Sequence, residues 1–141
     1  MDFQFKKNAV LRALKEEELD TLFQVVTDED NYVLLQANQN MKNGNCLISL
    51  SIEDRAFNTI HYCIGSLDNP GKKENILDLL NRLNDESLMI KYYLSNNSIM
   101  ARVSYIATDE NFDAREFVYL TVPGFKAIEE NYPKIMRVLW A

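Results

Sequence analysis

The chain has 141 residues, 47% of them hydrophobic, with only four glycines and three prolines. This is the composition of one globular domain, and it excludes a disordered or low-complexity chain. Its 21 acidic and 15 basic residues leave a net charge of −6, which disfavours nucleic acid and anionic membrane surfaces, both held by clustered Lys and Arg.

The first residues, Met1-Asp2-Phe3-Gln4-Phe5-Lys6-Lys7, lack the basic and then apolar run of a signal peptide. No apolar run approaches the ~20 residues that cross a bilayer. A cytoplasmic protein is expected, with Cys46 and Cys63 kept as thiols.

Lys6 to Leu19 reads as an amphipathic helix with Val10, Leu11 and Leu14 on one face. Glu16, Glu17, Glu18 and Asp20 gather at its C-terminal end, where negative charge opposes the helix dipole. Leu22 to Val26 suits either helix or strand and is read as extended. Asp28-Glu29-Asp30-Asn31 is a turn before a strand over Tyr32 to Gln39, and Asn43-Gly44-Asn45 a second turn, because Asn and Gly tolerate positive φ.

Two β-runs follow, Cys46 to Ile52 and Phe57 to Gly65, joined by Glu53-Asp54-Arg55-Ala56. Cys46, Ile48, Leu50 and Ile52 share one face of the first; Ile60, Tyr62 and Ile64 supply the apolar face of the second. Pairing across a four-residue loop would set Cys46 opposite Cys63, but it would also put Ile60 on the serine face. A shift of one residue aligns Ile48 and Leu50 with Tyr62 and Ile60, and hydrophobic matching decides register when one face is buried. The cysteines are therefore expected on opposite faces, unpaired.

Asp68-Asn69-Pro70-Gly71 opens a helix from about Lys72 to Asn84, with Ile76, Leu79, Leu80 and Leu83 at the spacing of a buried stripe. Ser87 to Ser95 and Ser98 to Ile106 then flank Asn96-Asn97, two residues suited to a tight primed turn. That turn would pair Leu88 with Tyr105, Ile90 with Val103, Tyr92 with Ala101 and Leu94 with Ile99 on the core side. Asp113 to about Leu139 is mostly helical, and Pro123 and Pro133 are expected to kink or divide it. Phe125, Ile128, Met136, Leu139 and Trp140 fall near one side and are expected to be mostly buried.

The expected fold is α+β: an antiparallel sheet of about five strands in the order α-β-β-β-α-β-β-α, with helices packed on one face. From Phe125 onward the chain reads Lys126-Ala127-Ile128-Glu129-Glu130-Asn131-Tyr132-Pro133-Lys134-Ile135-Met136-Arg137-Val138-Leu139-Trp140. With the Leu88–Ile106 hairpin, this ending resembles the YbjN-like family, whose fold is akin to type III secretion chaperones. The resemblance implies a homodimer and a chaperone-like or regulatory role without catalysis. It brings no catalytic set onto these positions, and a shared fold does not carry a shared function.

His61 is the one histidine. With Cys46 or Cys63 it offers a base and a nucleophile, but no Gly-rich turn or helix N-terminus activates either thiol. Asp28-Glu29-Asp30-Asn31 lacks the Gly and the distal Glu of a calcium loop, and one His without a Cys-x-x-Cys pair does not make a zinc site. No cofactor or metal is expected.

The surface to weigh lies on the hairpin. Opposite its core side stand Met89 with Ser104, Lys91 with Arg102, and Tyr93 with Met100. Cations directly opposite each other are unfavourable, and here they sit among Met and Tyr, which favour adaptable interfaces. Two readings stand: a solvated face with basic stems over apolar neighbours, or a protein-binding face made of Met89, Lys91, Tyr93, Met100 and Arg102. On the second, the chain is a non-enzymatic binding module for a protein or peptide partner or a second copy. The alternative class is a small-ligand or enzymatic domain with a pocket near His61 and neighbouring tyrosines.

Overall fold

A computed structural model describes Asp2 to Ala141. Helix α1 (Phe3–Glu16) leads into strands β1 (Gln24–Glu29), β2 (Tyr32–Met41), β3 (Gly44–Glu53) and β4 (Phe57–Ser66). Helix α2 (Lys73–Glu86), strands β5 (Lys91–Ser95) and β6 (Ser98–Ile106), and helices α3 (Ala114–Tyr119) and α4 (Thr121–Trp140) follow. The strands form one sheet in the order β1-β2-β3-β4-β6-β5, every neighbouring pair antiparallel. The class is α+β as expected, with six strands where about five were read.

The added strand is β1. Five of its six residues are exposed, so it shows none of the alternation that marks a half-buried strand. Asp28 and Glu29, read as turn, close it, and the turn shrinks to Asp30 and Asn31.

Helix α1 begins three residues earlier than its apolar spacing predicts, because the Asp2 side chain accepts from the Gln4 N–H at 3.3 Å. It also ends earlier. Glu18 turns left-handed at φ 59°, the Leu19 N–H donates to the Leu14 carbonyl at 2.8 Å and the Glu18 N–H to the Lys15 carbonyl at 3.1 Å. That pair of bonds is a Schellman closure, with Glu at the position that glycine usually takes.

The β3–β4 register sets Ile48 beside Tyr62 and Leu50 beside Ile60, as hydrophobic matching required. Those four, with Leu35, Ile52, Ile99, Ala101 and Val103, are buried on one face of the sheet. Ile76, Leu79, Leu80 and Leu83 of α2 and Ile128 and Ile135 of α4 close over it. Lys6 fastens α1 to the β3–β4 turn: its Nζ donates to the carbonyls of Glu53 at 2.7 Å and Arg55 at 2.9 Å. It also lies 4.7 Å from the centre of the Phe112 ring. Burial lowers its pKa, while Asp109, Asp54 and Glu53 pull the other way.

Near the C-terminus three expectations change. The helical stretch divides at Leu120, before either proline; Pro123 sits in the first turn of α4, where an N–H has no acceptor to lose, and Pro133 lies within it. Phe125, Met136 and Leu139 are half-buried, and Trp140 is 81% exposed. Ile128 is buried as expected, and with Ile135 it makes the α4 face that reaches the sheet.

Candidate functional site

Among the described residues no helix packs on the second face of the sheet, as an antiparallel sheet with one wet face allows. Register alone assembles its rows. Gln36, Ser49, His61, Arg102 and Lys91 stand side by side from β2 to β5, and Asn38, Leu47, Cys63, Met100 and Tyr93 form the next row. Four of the five residues expected on the protein-binding face thus meet in two adjacent rows: Lys91, Tyr93, Met100 and Arg102. The turn that aligns them has φ 47° at Asn96 and 66° at Asn97, the primed geometry whose twist matches the strands.

The fifth, Met89, stands apart. Strand β5 begins only at Lys91, so the ladder pairs of Met89 with Ser104, Leu88 with Tyr105 and Ile90 with Val103 do not form. The Ser87 hydroxyl accepts from the Ile90 N–H at 3.0 Å, which turns the chain as it leaves α2. Leu88, expected to point inward, is fully exposed, and Met89 is 40% exposed. Ile90 still reaches the core.

What the sequence reading missed is the β4–β6 pairing, which spans more than thirty residues of chain and carries no local signal. It brings His61 beside Arg102 and Cys63 beside Met100. Burial first, and the Arg102 charge second, push the His61 pKa below its ordinary value. The Arg102 guanidinium lies 5.5 Å from the centre of the Tyr93 ring, a distance at which a cation is held by the ring face. Among the described residues neither Lys91 nor Arg102 enters an ion pair. At the far end of this face stand two carboxylates, Glu29 and Glu53, on either side of Tyr32, and Glu53 is bound to Arg55.

His61 itself sits mid-row on this open face and lines none of the cavities named here. Cys46 is in the core and Cys63 half-buried on the other face, both free; burial pushes the Cys46 thiol up to about 12, far from a thiolate at neutral pH. Among the described residues no group of three or more His, Cys, Asp or Glu is placed to hold a metal ion. Among the described residues no helix is long and apolar enough to cross a membrane.

A second concavity, which the sequence reading did not find, opens on the helical side. It holds about 470 Å³ between the α1–β1 connection and α4, and Leu22, Phe23, Ala37, Ile48, Val122 and Phe125 make its walls. Leu22 and Val122 are about half exposed at its mouth.

Comparisons of the chain with protein-family models, with curated proteins and with solved structures give no match.

Proposed function

We propose that this chain is a non-enzymatic protein-binding module, chaperone-like or regulatory, which holds an acidic segment of a partner on the open face of its sheet. One observation carries the reading: Lys91 and Arg102 stand directly opposite each other with no carboxylate to neutralise them, on a protein of net charge −6. Folding places two like charges side by side at a cost, and an acidic segment laid across the row relieves it. Tyr93 and Met100, half-buried beside the cations, offer adaptable apolar contact. A second copy of the chain could supply the acidic groups, so a homodimer belongs to the same proposal. The Tyr132-Pro133, Met136-Arg137 and Leu139-Trp140 ending supports membership of the YbjN-like family and the same kind of role. A cytoplasmic setting fits the two free thiols.

The double reversal Lys91→Glu, Arg102→Glu tests this. Both side chains leave the core untouched, so circular dichroism and the melting midpoint should change little. Cross-linking and sedimentation, with recovery of partners from cells, should show weakened association. Association and recovery that survive the reversal unchanged would reduce this face to a solvated surface.

A further inference from the structure

The cleft beside α4 borders an unfinished edge of the sheet. Strand β2 runs from Tyr32 to Met41, but β1 pairs with it only as far as Gln36, opposite Gln24. Before Gln24 the chain turns away, with the N–H groups of Leu22 and Phe23 bonded back to the Leu19 carbonyl. Among the described residues, the last five of β2 therefore have β3 on one side and no strand on the other.

Antiparallel geometry fixes which backbone groups are left over. A two-residue turn joins β2 to β3, so its flanking pair, Met41 and Gly44, is hydrogen-bonded, and so in alternation are Gln39 with Cys46 and Ala37 with Ile48. Asn38 and Asn40 point their N–H and C=O groups the opposite way, out of the sheet edge. Both residues are exposed, and among the described residues no other segment bonds to them.

The side-chain directions complete the site. A strand laid along Asn38 and Asn40 would alternate its side chains with those of β2. Residues facing Asn38 and Asn40 would lie on the open face, and those facing Ala37 and Gln39 would enter the cleft between Leu22 and Val122. Extended peptides are recognised in this way, by backbone bonds along the edge and pockets for alternate side chains.

Charge separates two possible occupants. Glu129 lines the cleft, and Glu17, Glu18 and Asp20 lie in the connection next to its wall residues Leu19 and Leu22; among the described residues none of the four is in an ion pair. Lys126 lines the cleft, and Lys15 and Lys42 lie beside it in the chain, so the four carboxylates outnumber these three cations. Two copies joined edge to edge would bring these acidic walls together, which is unfavourable. A basic segment is attracted instead.

We infer that the Ala37–Met41 edge and its cleft bind an extended segment of a partner protein, with apolar residues at alternate positions and Lys or Arg at its ends. This site lies at the β2 edge, at the other end of the sheet from Lys91 and Arg102, and does not depend on them.

A displayed library of short random peptides, panned on the whole chain, tests the inference. Enrichment of alternating apolar residues flanked by Lys or Arg is expected. Binding of a selected peptide should fall at least about tenfold with Asn38→Pro, which deletes an edge donor without touching the β3 ladder. Leu22→Glu should weaken it similarly, and so should N-methylation of the peptide at alternate residues. The Lys91→Glu, Arg102→Glu variant should bind it as the wild type does. If Asn38→Pro unfolds the protein, N-methylation decides alone. No retained peptide, or equal binding of the N-methylated one, overturns the proposal. So does a dimer that Asn38→Pro dissolves while no peptide is retained, since the occupant is then a second copy.

Discussion

The Asn84 side chain closes the backbone of Tyr92. Its Oδ1 accepts from the Tyr92 N–H at 2.6 Å and its Nδ2 donates to the Tyr92 carbonyl at 2.9 Å. An amide in the last turn of α2 thus stands where a neighbouring strand would be, and it covers the outer edge of β5. Covered edges resist pairing with other chains. Two edges of this sheet differ in kind: β5 is covered at Tyr92, while β2, past the point where β1 leaves it, is open at Asn38 and Asn40.

Replacing Asn84 with Ala strips both bonds from a part-buried backbone. A loss of about 1–3 kcal/mol is expected, the cost of leaving such groups unpaired. Urea unfolding measures it, and hydrogen exchange at the Tyr92 amide should speed up beyond the global change. An amide protected as in the wild type would show that Asn84 does not hold this edge.

Glu18 pays a conformational cost in the other direction. It occupies the left-handed position of the α1 closure at φ 59°, where L-residues lose roughly 1–2 kcal/mol and glycine loses little. Its charge also opposes the helix dipole. Glu18→Gly should therefore stabilise the protein by roughly 1 kcal/mol in thermal melts. A lower midpoint would mean that the Glu18 side chain makes a contact worth more than the strain.

Much of this architecture is legible in the residues, and the failures share a cause. Alternation in β3 and β4 set their register through Ile48, Leu50, Ile60 and Tyr62, because one face of those strands is buried. The Asn96-Asn97 turn likewise aligned Lys91 with Arg102 and Tyr93 with Met100. Strand β1 was read only in part, through the extended reading of Leu22 to Val26, because its exposure leaves no alternation to mark its bounds. Leu88 was misplaced because its periodicity continues past the point where Ser87 turns the backbone. The row that sets His61 beside Arg102, and the end of β2 beside α4, depend on non-local pairing that no window of sequence contains.

The C-terminal helix offers a graded test of burial. Ile135 is fully buried, Leu139 partly so and Trp140 is 81% exposed. Ile135→Ala should cost on the order of 2–5 kcal/mol, and Trp140→Ala should stay within about 0.5 kcal/mol. Leu139→Ala should fall between them. Thermal melts of the three variants check the order. A Trp140→Ala variant as unstable as Ile135→Ala would mean that the end of α4 folds against something further.

His61 gives the fold a pH dependence of known sign. Its pKa is depressed by burial and by Arg102, so the unfolded chain binds the proton more readily. This contribution to stability is complete above the unfolded value of about 6.5 and is lost as pH falls through the folded one. Melting midpoints taken downward from neutral pH should therefore decline, and His61→Gln should flatten the decline. Arg102→Met should shrink it, since the folded pKa then moves back toward the unfolded one. Equal slopes in all three proteins would assign the effect to other groups.

Gly124 and Tyr62 form a close contact between α4 and the sheet. The Tyr62 hydroxyl donates to the Thr121 carbonyl at 3.1 Å, and it lies only 2.2 Å from where a Cβ on Gly124 would stand. Tyr62 is fully buried in the middle of β4, so its ring has no free volume to retreat into. Gly124→Ala must push α4 off the sheet or break the Tyr62–Thr121 bond, at about 1–3 kcal/mol. Tyr62→Phe alone loses that hydrogen bond, yet it removes the nearest obstructing atom. The remaining ring carbons lie 2.9 and 3.2 Å from the added methyl, so relief is partial. The double variant should therefore lose less than the sum of the two single losses, by 0.5 kcal/mol or more on the scale of about 0.5–3 kcal/mol seen for residues in contact. Urea unfolding of all four proteins yields the coupling, and strict additivity would show that the glycine is not there to admit the tyrosine.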